Sequence, residues 1–514
     1  MVRPSIITVS LAAACSLVLG SCAVAPRPGD KPVTVARAAP ATGVLAESAK
    51  RTARKRAPGE SSFLLLEGNK EALDWRLALI DEARSSIDIQ LYLWHSGSSS
   101  RVLMDRVIRA ADRGVRVRIL VDDFLFVSNE KTVAALCRYH PNIDIRIFNP
   151  TRLRGNPLGS AAEFILNFQH LNRRMHNKTW TVDRTFTIVG GRNVGDQYYG
   201  LDENYNFIDL DVLACGPVVK DVSDGFDLFW NSAQAYPGAL LSSRAKPGHV
   251  ADLREELREG LAAERTGRLR LFSTAPRDWS RELAALPGQM VHGQARFLQD
   301  HPDPEKDERD VIGGLRHLTR DDDGEIVLVS PYLIPSKGAI DNLGESVDSG
   351  VEVGILAPSL SANNQPAAHG KYKKKRKPIL RAGARLFEMR ADGSDDLRAL
   401  ADVDPVRSKE ICMHMKLIVG DRERCFIGSL NLDPRAMVIN TESGMLIDSP
   451  ELSEELLALV RRIALEDSWE VTLDERGRFV WTSGAESRSS QPPARFSKKF
   501  VSFLVGWLPI ESQL

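Results

Sequence analysis

The chain has 514 residues, enough for two domains and a large core, and its 68 Lys+Arg balance 68 Asp+Glu to a formal net charge of zero. That balance speaks against a nucleic-acid binder, which carries a basic excess. Six cysteines and ten histidines show no spacing that resembles a zinc site, so no metal is expected.

At the N-terminus, Arg3 precedes an uncharged, largely apolar run over residues 4–25. Within it, Leu19-Gly20-Ser21-Cys22 resembles a bacterial lipoprotein signal, which implies cleavage before Cys22 and lipid on that cysteine. An ordinary signal peptide and an uncleaved membrane helix are the alternatives. Residues 23–60 then read as a flexible Pro/Ala-rich linker carrying a basic run, Lys50-Arg51 and Arg54-Lys55-Arg56. Ala23 after the cysteine resembles an outer-membrane sorting signal, giving a periplasm-facing lipoprotein.

Two strings of elements follow in the same order. Strands are expected over 87–94 and 326–334, helices over 100–112 and 337–348, and second strands over 115–121 and 351–357. Alternation of this kind predicts an α/β fold with mostly parallel sheet covered by helices. Arg113-Gly-Val-Arg-Val-Arg-Ile-Leu-Val-Asp-Asp123 matches Ser349-Gly-Val-Glu-Val-Gly-Ile-Leu-Ala-Pro-Ser359. The near-constant register marks an internal duplication, with copies at 61–234 and 324–470. A connecting, mainly helical segment is expected over 235–323, and a C-terminal segment over 471–514.

Each copy carries one pattern. The first is His176-x-Lys178-x4-Asp183 followed by Gly190-Gly191-x-Asn193; the second is His414-x-Lys416-x4-Asp421 followed by Gly428-Ser429-x-Asn431. A histidine can attack phosphorus or protonate a leaving oxygen at neutral pH. A lysine and an asparagine can hold phosphoryl oxygens as charge builds on them. Period-two alternation puts Cys412, His414, Lys416 and Ile418 on one face of a strand. Gly420-Asp421 turns the chain, and the return strand brings Asn431 beside them. Lys178, Lys416, Asn193 and Asn431 are thus candidate phosphate ligands, and Ser429 a candidate donor. Gly190, Gly191 and Gly428 either admit the phosphate or allow tight strand packing. Asp183 and Asp421 complete the two motifs at their turns, as structural supports. Cys412 and Cys425 lie on the two arms of one hairpin, where either a disulfide or two buried thiols would fit.

The doubled pattern resembles the signature of the phospholipase D superfamily. Leu171-Asn-Arg-Arg-Met-His-Asn-Lys178, Phe207-Ile-Asp-Leu-Asp-Val212, Ser330-Pro-Tyr332 and Trp507-Leu-Pro-Ile-Glu511 resemble its bacterial cardiolipin synthase C branch. A lipoprotein-type signal is not a necessary part of that branch. The resemblance implies two similar α/β domains about a pseudo-twofold axis, one active site between them, and no metal or organic cofactor. It implies that His176 is the nucleophile, forming a phosphohistidine, and that His414 is the general acid and base. A carboxylate should orient each imidazole. Glu442 matches the family's position 28 residues after His414. In the first copy the register selects Asp209, with Asp211 as the alternative.

The same chemistry serves lipases, phosphatidyl transferases and nucleases. Three features favour phospholipids and a membrane surface as partners, with no nucleic acid. These are the lipoprotein-type N-terminus, the apolar stretch at 161–171 that could line an acyl-chain entrance, and the aromatic, lysine-bearing stretch at 496–509, which looks like an interfacial anchor. A second basic run, 371–377, is either a solvated face or a site for anionic head groups. The reading is a cardiolipin synthase-like transferase with phosphatidylglycerol as acceptor and phosphatidylethanolamine a possible donor. The alternatives are a phospholipase D that uses water, or a phosphodiesterase acting on nucleic acid.

Overall fold

A computed structural model describes residues 31–123, 130–151, 172–306, 308–315, 318 and 324–507. Eighteen strands among them join into one mixed sheet. The first half contributes, in spatial order, Ala235–Pro237, Ile143–Phe148, Arg116–Asp122, Ser86–Leu91, Thr179–Val182, Phe186–Gly190, Asp211–Cys215 and Ser61–Leu66. The second half repeats the plan in reverse. Val291–Gln299, Ser443–Asp448, Arg424–Gly428 and Leu417–Gly420 lead to Glu325–Val329, Glu352–Pro358, Arg385–Met389 and Ser468–Leu473. The halves meet at antiparallel Ser61↔Gly293. Ser86–Leu91, Arg116–Asp122 and Ile143–Phe148 are parallel, as are their counterparts. The helices Ser98–Asp112 and Lys337–Asp348 make the first crossover of each set.

The halves share a core. Phe63, Leu65, Val189 and Val212 cluster with Met415, Met445 and Ile447 across the boundary. Full burial of each such side chain contributes about 1.5–3 kcal/mol, so the two copies are one packed body.

Several boundaries move from their sequence positions. Val291–Gln299, inside the expected connecting segment, is the second half's counterpart of Ser61–Leu66 and stitches the sheets together. The helices Gly248–Glu264 and Ser280–Ala285 precede it in the chain and Asp310–Leu315 follows and packs on it. The second half also runs past residue 470, because Ser468–Leu473 pairs with Arg385–Met389 and is followed by Phe479–Ser483 and Glu486–Arg488.

The expected linker is not free from Lys31 onward. Lys31 Nζ donates to Ala235 O at 2.6 Å, and Trp230 Nε1 donates to Thr34 Oγ1 at 2.8 Å. Buried Arg118 and Arg146 donate to the carbonyls of Thr34 and Pro32. The helix Val44–Ala53 follows, with Leu45, Ala46, Ser48 and Thr52 buried. Proline and alanine here serve extended docking, which composition alone reads as a tether. In the second basic run Lys371 and Arg376 are buried, so it is not a uniform solvated face. Cys137, Cys215, Cys412 and Cys425 are free thiols, which removes the disulfide alternative. Cys22 and the stretch 161–171 lie outside the described residues.

Candidate active site

The two histidines are placed by short parallel pairings between the halves. Glu410–Met413 runs parallel to Tyr205–Ile208, with Met413 opposite Ile208. The next residues are His414 and Asp209. In the other copy a parallel bridge sets Met175 opposite Thr441, and the next residues are His176 and Glu442. The pairing is held by His414 N–H to Ile208 O at 2.8 Å and His176 N–H to Thr441 O at 2.9 Å. The expected continuous strand through Cys412 and Ile418 is therefore broken at His414. Glu410–Met413 forms a separate two-stranded parallel sheet with Tyr205–Ile208, whereas Leu417–Gly420 belongs to the main sheet.

Each imidazole is thus oriented by a carboxylate of the opposite copy. His176 Nδ1 donates to Glu442 Oε2 at 2.9 Å, and His414 Nδ1 donates to Asp209 Oδ2 at 2.5 Å. Fixing Nδ1–H in this way leaves Nε2 as the free lone pair. Asp211 takes a different part, accepting from buried Arg76 and Arg192. That resolves the alternative in favour of Asp209.

Both lysines are buried beside their histidines. Lys178 Nζ donates to His176 O at 2.5 Å, and Lys416 Nζ lies 3.0 Å from His414 Nδ1. Burial and the neighbouring ammonium lower Lys178 to about 7, and burial brings Lys416 to about 8. His176 is held well below the usual imidazole range by burial, then by Lys178 and Lys416. Burial and Lys416 likewise lower His414, with Lys178 adding to the effect. Each lysine thus acts on the other copy's histidine, so the two motifs form one cationic site.

The carboxylates differ. Burial pushes Glu442 up to about 8, opposed by Lys178 and the Ser429 hydroxyl. Burial also opposes ionisation of Asp209, but the charges of His414 and Lys416 outweigh it and hold the carboxyl below its usual range. Asp209 is therefore the firmer anion, better suited to stabilise an imidazolium.

Other expected roles change on inspection. Ser429 Oγ donates to Glu442 Oε2 at 2.5 Å and accepts from Ser443 N–H at 2.9 Å, so it holds the orienting carboxylate rather than a phosphate. Asn193 is a scaffold residue on at least two sides. Its Oδ1 accepts from Leu93 N–H at 3.0 Å, and its Nδ2 donates to Tyr198 OH at 3.1 Å. Asn431, by contrast, keeps a buried Oδ1 with no partner. A Cβ at Gly191 would stand 2.1 Å from Asp209 Oδ1, and one at Gly428 would stand 2.4 Å from Ser443 O. These glycines make room for a carboxylate and a strand, not for phosphate. Asp183 accepts from the amides of Arg84, Ser85 and Ser86 at 2.6–2.9 Å, the structural support expected of it. Asp421 lies at the equivalent turn with φ 51°, against 54° at Asp183.

Sequence reasoning missed the aromatic walls and one carboxylate. Tyr92 meets the His176 ring edge-on at 5.0 Å, while Tyr198 and Phe207 pack on His414 at 5.3 and 4.7 Å. The matching Tyr92 and Tyr332 after the first parallel strand of each copy were the available signal. Asp300 accepts from Glu442 N–H at 3.0 Å, and its own N–H donates to Glu442 O. No motif marks it. Among the described residues no group of His, Cys, Asp or Glu could hold a metal.

Two duplicated α/β halves with crossed His–carboxylate pairs and two buried lysines define a two-motif phospholipase D-type centre. The comparisons agree. The model described as "Cardiolipin synthase, PLD-like domain" matches residues 77–230 and 322–464. Cardiolipin synthase C of Escherichia coli is 33% identical over 476 residues, which cover 88% of this chain and 96% of the relative. Cardiolipin synthase A of Pseudomonas putida is 24% identical, covering 79% and 70%. The fold also resembles the phosphatidylserine synthase of Haemophilus influenzae, with a TM-score of 0.52, 14% identity, and coverage of 80% of this chain and 89% of that one. The chain belongs to the phospholipase D-like cardiolipin synthase family.

Proposed function

We propose that the chain is a phosphatidyl transferase that joins two phospholipids into cardiolipin through a phosphohistidine. The crossed pairs carry this reading, because they set two imidazoles against unlike carboxylates around one cationic pocket, Glu442 pushed up and Asp209 held down. His176, beside a Glu442 that burial tends to neutralise, stays uncharged and attacks the phosphodiester phosphorus. The bond to the departing alcohol breaks as His414, backed by anionic Asp209, gives that oxygen its proton. The hydroxyl of phosphatidylglycerol then returns its proton to His414 and takes the phosphatidyl group from His176. Lys178, Lys416 and Asn431 meet the non-bridging oxygens, where charge fixed in advance stabilises most. The bound phosphate anion offsets the two ammonium charges that depress His414, raising it toward the protonated state the acid step needs.

Phosphatidylglycerol is the acceptor and phosphatidylethanolamine a candidate donor, delivered from a membrane. Cys22 is the site of acylation, which holds the protein on the periplasmic side of a bacterial membrane. Purified protein incubated with labelled phosphatidylglycerol, with and without phosphatidylethanolamine, tests the activity. Labelled cardiolipin is expected. Phosphatidic acid alone would mean water is the acceptor, and DNA cleavage without lipid turnover would mean a nuclease. Incorporation of labelled palmitate that is lost in Cys22→Ser tests the anchor.

A further inference from the structure

A cavity of about 350 Å³ lies under the helix layer of the first half. The helices Ser98–Asp112, Glu130–Tyr139 and Gly248–Glu264 enclose it against the strands Arg116–Asp122 and Ile143–Phe148. Its floor is apolar and buried, made by Ile119, Val121, Val133, Leu136 and Ile145. Its rim is polar, with Ser96, Arg101 and Glu256. Arg101 lies over Gly260, where a Cβ would stand 2.8 Å from its Cδ, and pairs with Glu264 at 3.7 Å. An apolar floor gives water no partners, so such a space takes an apolar ligand rather than a cluster of waters.

The cavity lies at the edge of the sheet that carries the active site. In a parallel α/β unit each crossover helix starts where the preceding strand ends, and ligands bind along that edge. The first turns of two such helices line the cavity, through Ser100 and Met104 in one and Thr132 and Leu136 in the other. Two strand ends then tie it to His176. Trp94 lines the cavity, and Tyr92, just before it in the chain, packs on the His176 ring at 5.0 Å. Val121 lines it too, and the next residue, Asp122, accepts at 2.8 Å from the N–H of Met175, the neighbour of His176. The roof is the helix Gly248–Glu264, which lies in the segment that interrupts the duplication and packs on both crossover helices. That inserted helix turns a groove of the first half into a cavity.

A ligand that fits has one long apolar part and a polar end left at the rim. An engineered apolar cavity of about 150 Å³ holds benzene, and by that proportion this one holds roughly a dozen carbons, one acyl chain rather than two. We propose that the cavity takes one acyl chain of the substrate phospholipid while the phosphodiester lies at His176. The inference rests on the lipid reading above and adds a chain-binding site to it. In a two-step transfer the phosphatidyl group stays on the protein while one alcohol leaves and another arrives. A chain held in a fixed cavity keeps that group oriented through both steps.

The test uses the full chain and phosphatidylglycerol with a diazirine midway along one acyl chain, in detergent micelles. After irradiation, mass spectrometry of the digest should find the lipid on peptides from Ser98–Asp112 and Gly248–Glu264. Met104 and Leu253 both line the cavity. Met104→Trp and Leu253→Trp, made together, fill it with two indoles. That labelling should fall about tenfold in the double variant. The ratio of kcat/KM for dioleoylphosphatidylglycerol to that for dihexanoylphosphatidylglycerol should also fall about tenfold, since a single methylene in an apolar pocket already discriminates by that much. Labelling confined to other segments would overturn the proposal, and so would labelling of these helices by photoactivatable palmitate alone. An equal loss on both lipids would also overturn it, showing that the two side chains serve the fold. Labelling of the unsubstituted protein decides the matter even where the variant does not fold. Labelling is read without turnover, so a labelled cavity in a protein that transfers no phosphatidyl group would defeat the functional reading and leave the site standing. Cardiolipin formed with no label on these helices would do the reverse.

Discussion

His176 and Glu442 are hydrogen-bonded at 2.9 Å although 266 residues separate them. The reciprocal pair, His414 and Asp209, spans 205 residues at 2.5 Å. Neither half holds an oriented imidazole without the other. In a duplicated protein this crossing ties activity to correct docking of the halves, because a shift of one residue at either parallel bridge would separate a histidine from its carboxylate.

The unlike carboxylates predict unlike defects. With a natural phospholipid, Glu442→Gln and Asp209→Asn should each lower kcat by about 10²–10⁴, the range for loss of general acid–base assistance. With a p-nitrophenyl phosphodiester, whose leaving group needs no proton, the first-turnover burst of Asp209→Asn should recover to within about tenfold. That of Glu442→Gln should not. Rapid-mixing absorbance measurements distinguish the two, and equal recovery would contradict the assigned roles.

Ser429 predicts a smaller effect. Ser429→Ala removes a hydrogen bond to Glu442, and net loss of an ordinary hydrogen bond costs about 0.5–1.5 kcal/mol. A decrease of about 2–10-fold in kcat with little change in KM is expected. A rise in KM alone would instead place Ser429 on the substrate.

The two asparagines should separate. Asn193 accepts from Leu93 N–H in the interior, so Asn193→Ala leaves a buried amide unpaired and should destabilise the fold by about 1–3 kcal/mol, read as a lower Tm. Asn431 Oδ1 is buried without the amide partner that Asn193 Oδ1 has, and its Nδ2 is the atom that would donate to a phosphoryl oxygen. Asn431→Ala should keep Tm within about 2 °C, a shift worth less than about 1 kcal/mol, and lose kcat/KM.

Much of this was legible in the chain. The duplication, both motifs and the α/β class follow from register and residue type, whereas Glu442 came from the family resemblance and Asp209 from aligning the first copy onto it, with Asp211 as the alternative. What escaped depends on tertiary pairing. Nothing local says that Met413 will pair with Ile208, so the break at His414 and the crossing of the carboxylates are invisible in sequence. Val291–Gln299 was hidden because its polar, half-exposed pattern, with Gly293, Arg296 and two glutamines, lacks the apolar run of a buried strand. The docked segment after Lys31 looked like a linker because its partners are backbone carbonyls and buried arginines far along the chain.

The pH profile follows from the lysines. Lys178 is lowered to about 7 and Lys416 to about 8, by burial first. Each is charged below its value and neutral above it, so transition-state stabilisation is present at lower pH and lost as pH rises. In the ligand-free protein kcat/KM should fall through an alkaline limb at about pH 7–8. A profile flat to about pH 9.5, near the usual lysine range, would show that the ammonium groups are not depressed or do not meet the phosphate.

The most direct measurement is the covalent intermediate itself. The His414→Asn form, which lacks the general acid of the first half-reaction and the general base of the second, is mixed with phosphatidyl-p-nitrophenol, whose leaving group needs no proton, quenched under alkaline conditions and digested for mass spectrometry. A phosphatidyl adduct on the peptide carrying His176, absent from His176→Asn, is the predicted result. An adduct on His414 in the His176→Asn form, with none on His176 in the His414→Asn form, would reverse the assignment. No adduct in either form, with lipid turnover intact in the unsubstituted protein, would contradict the two-step account.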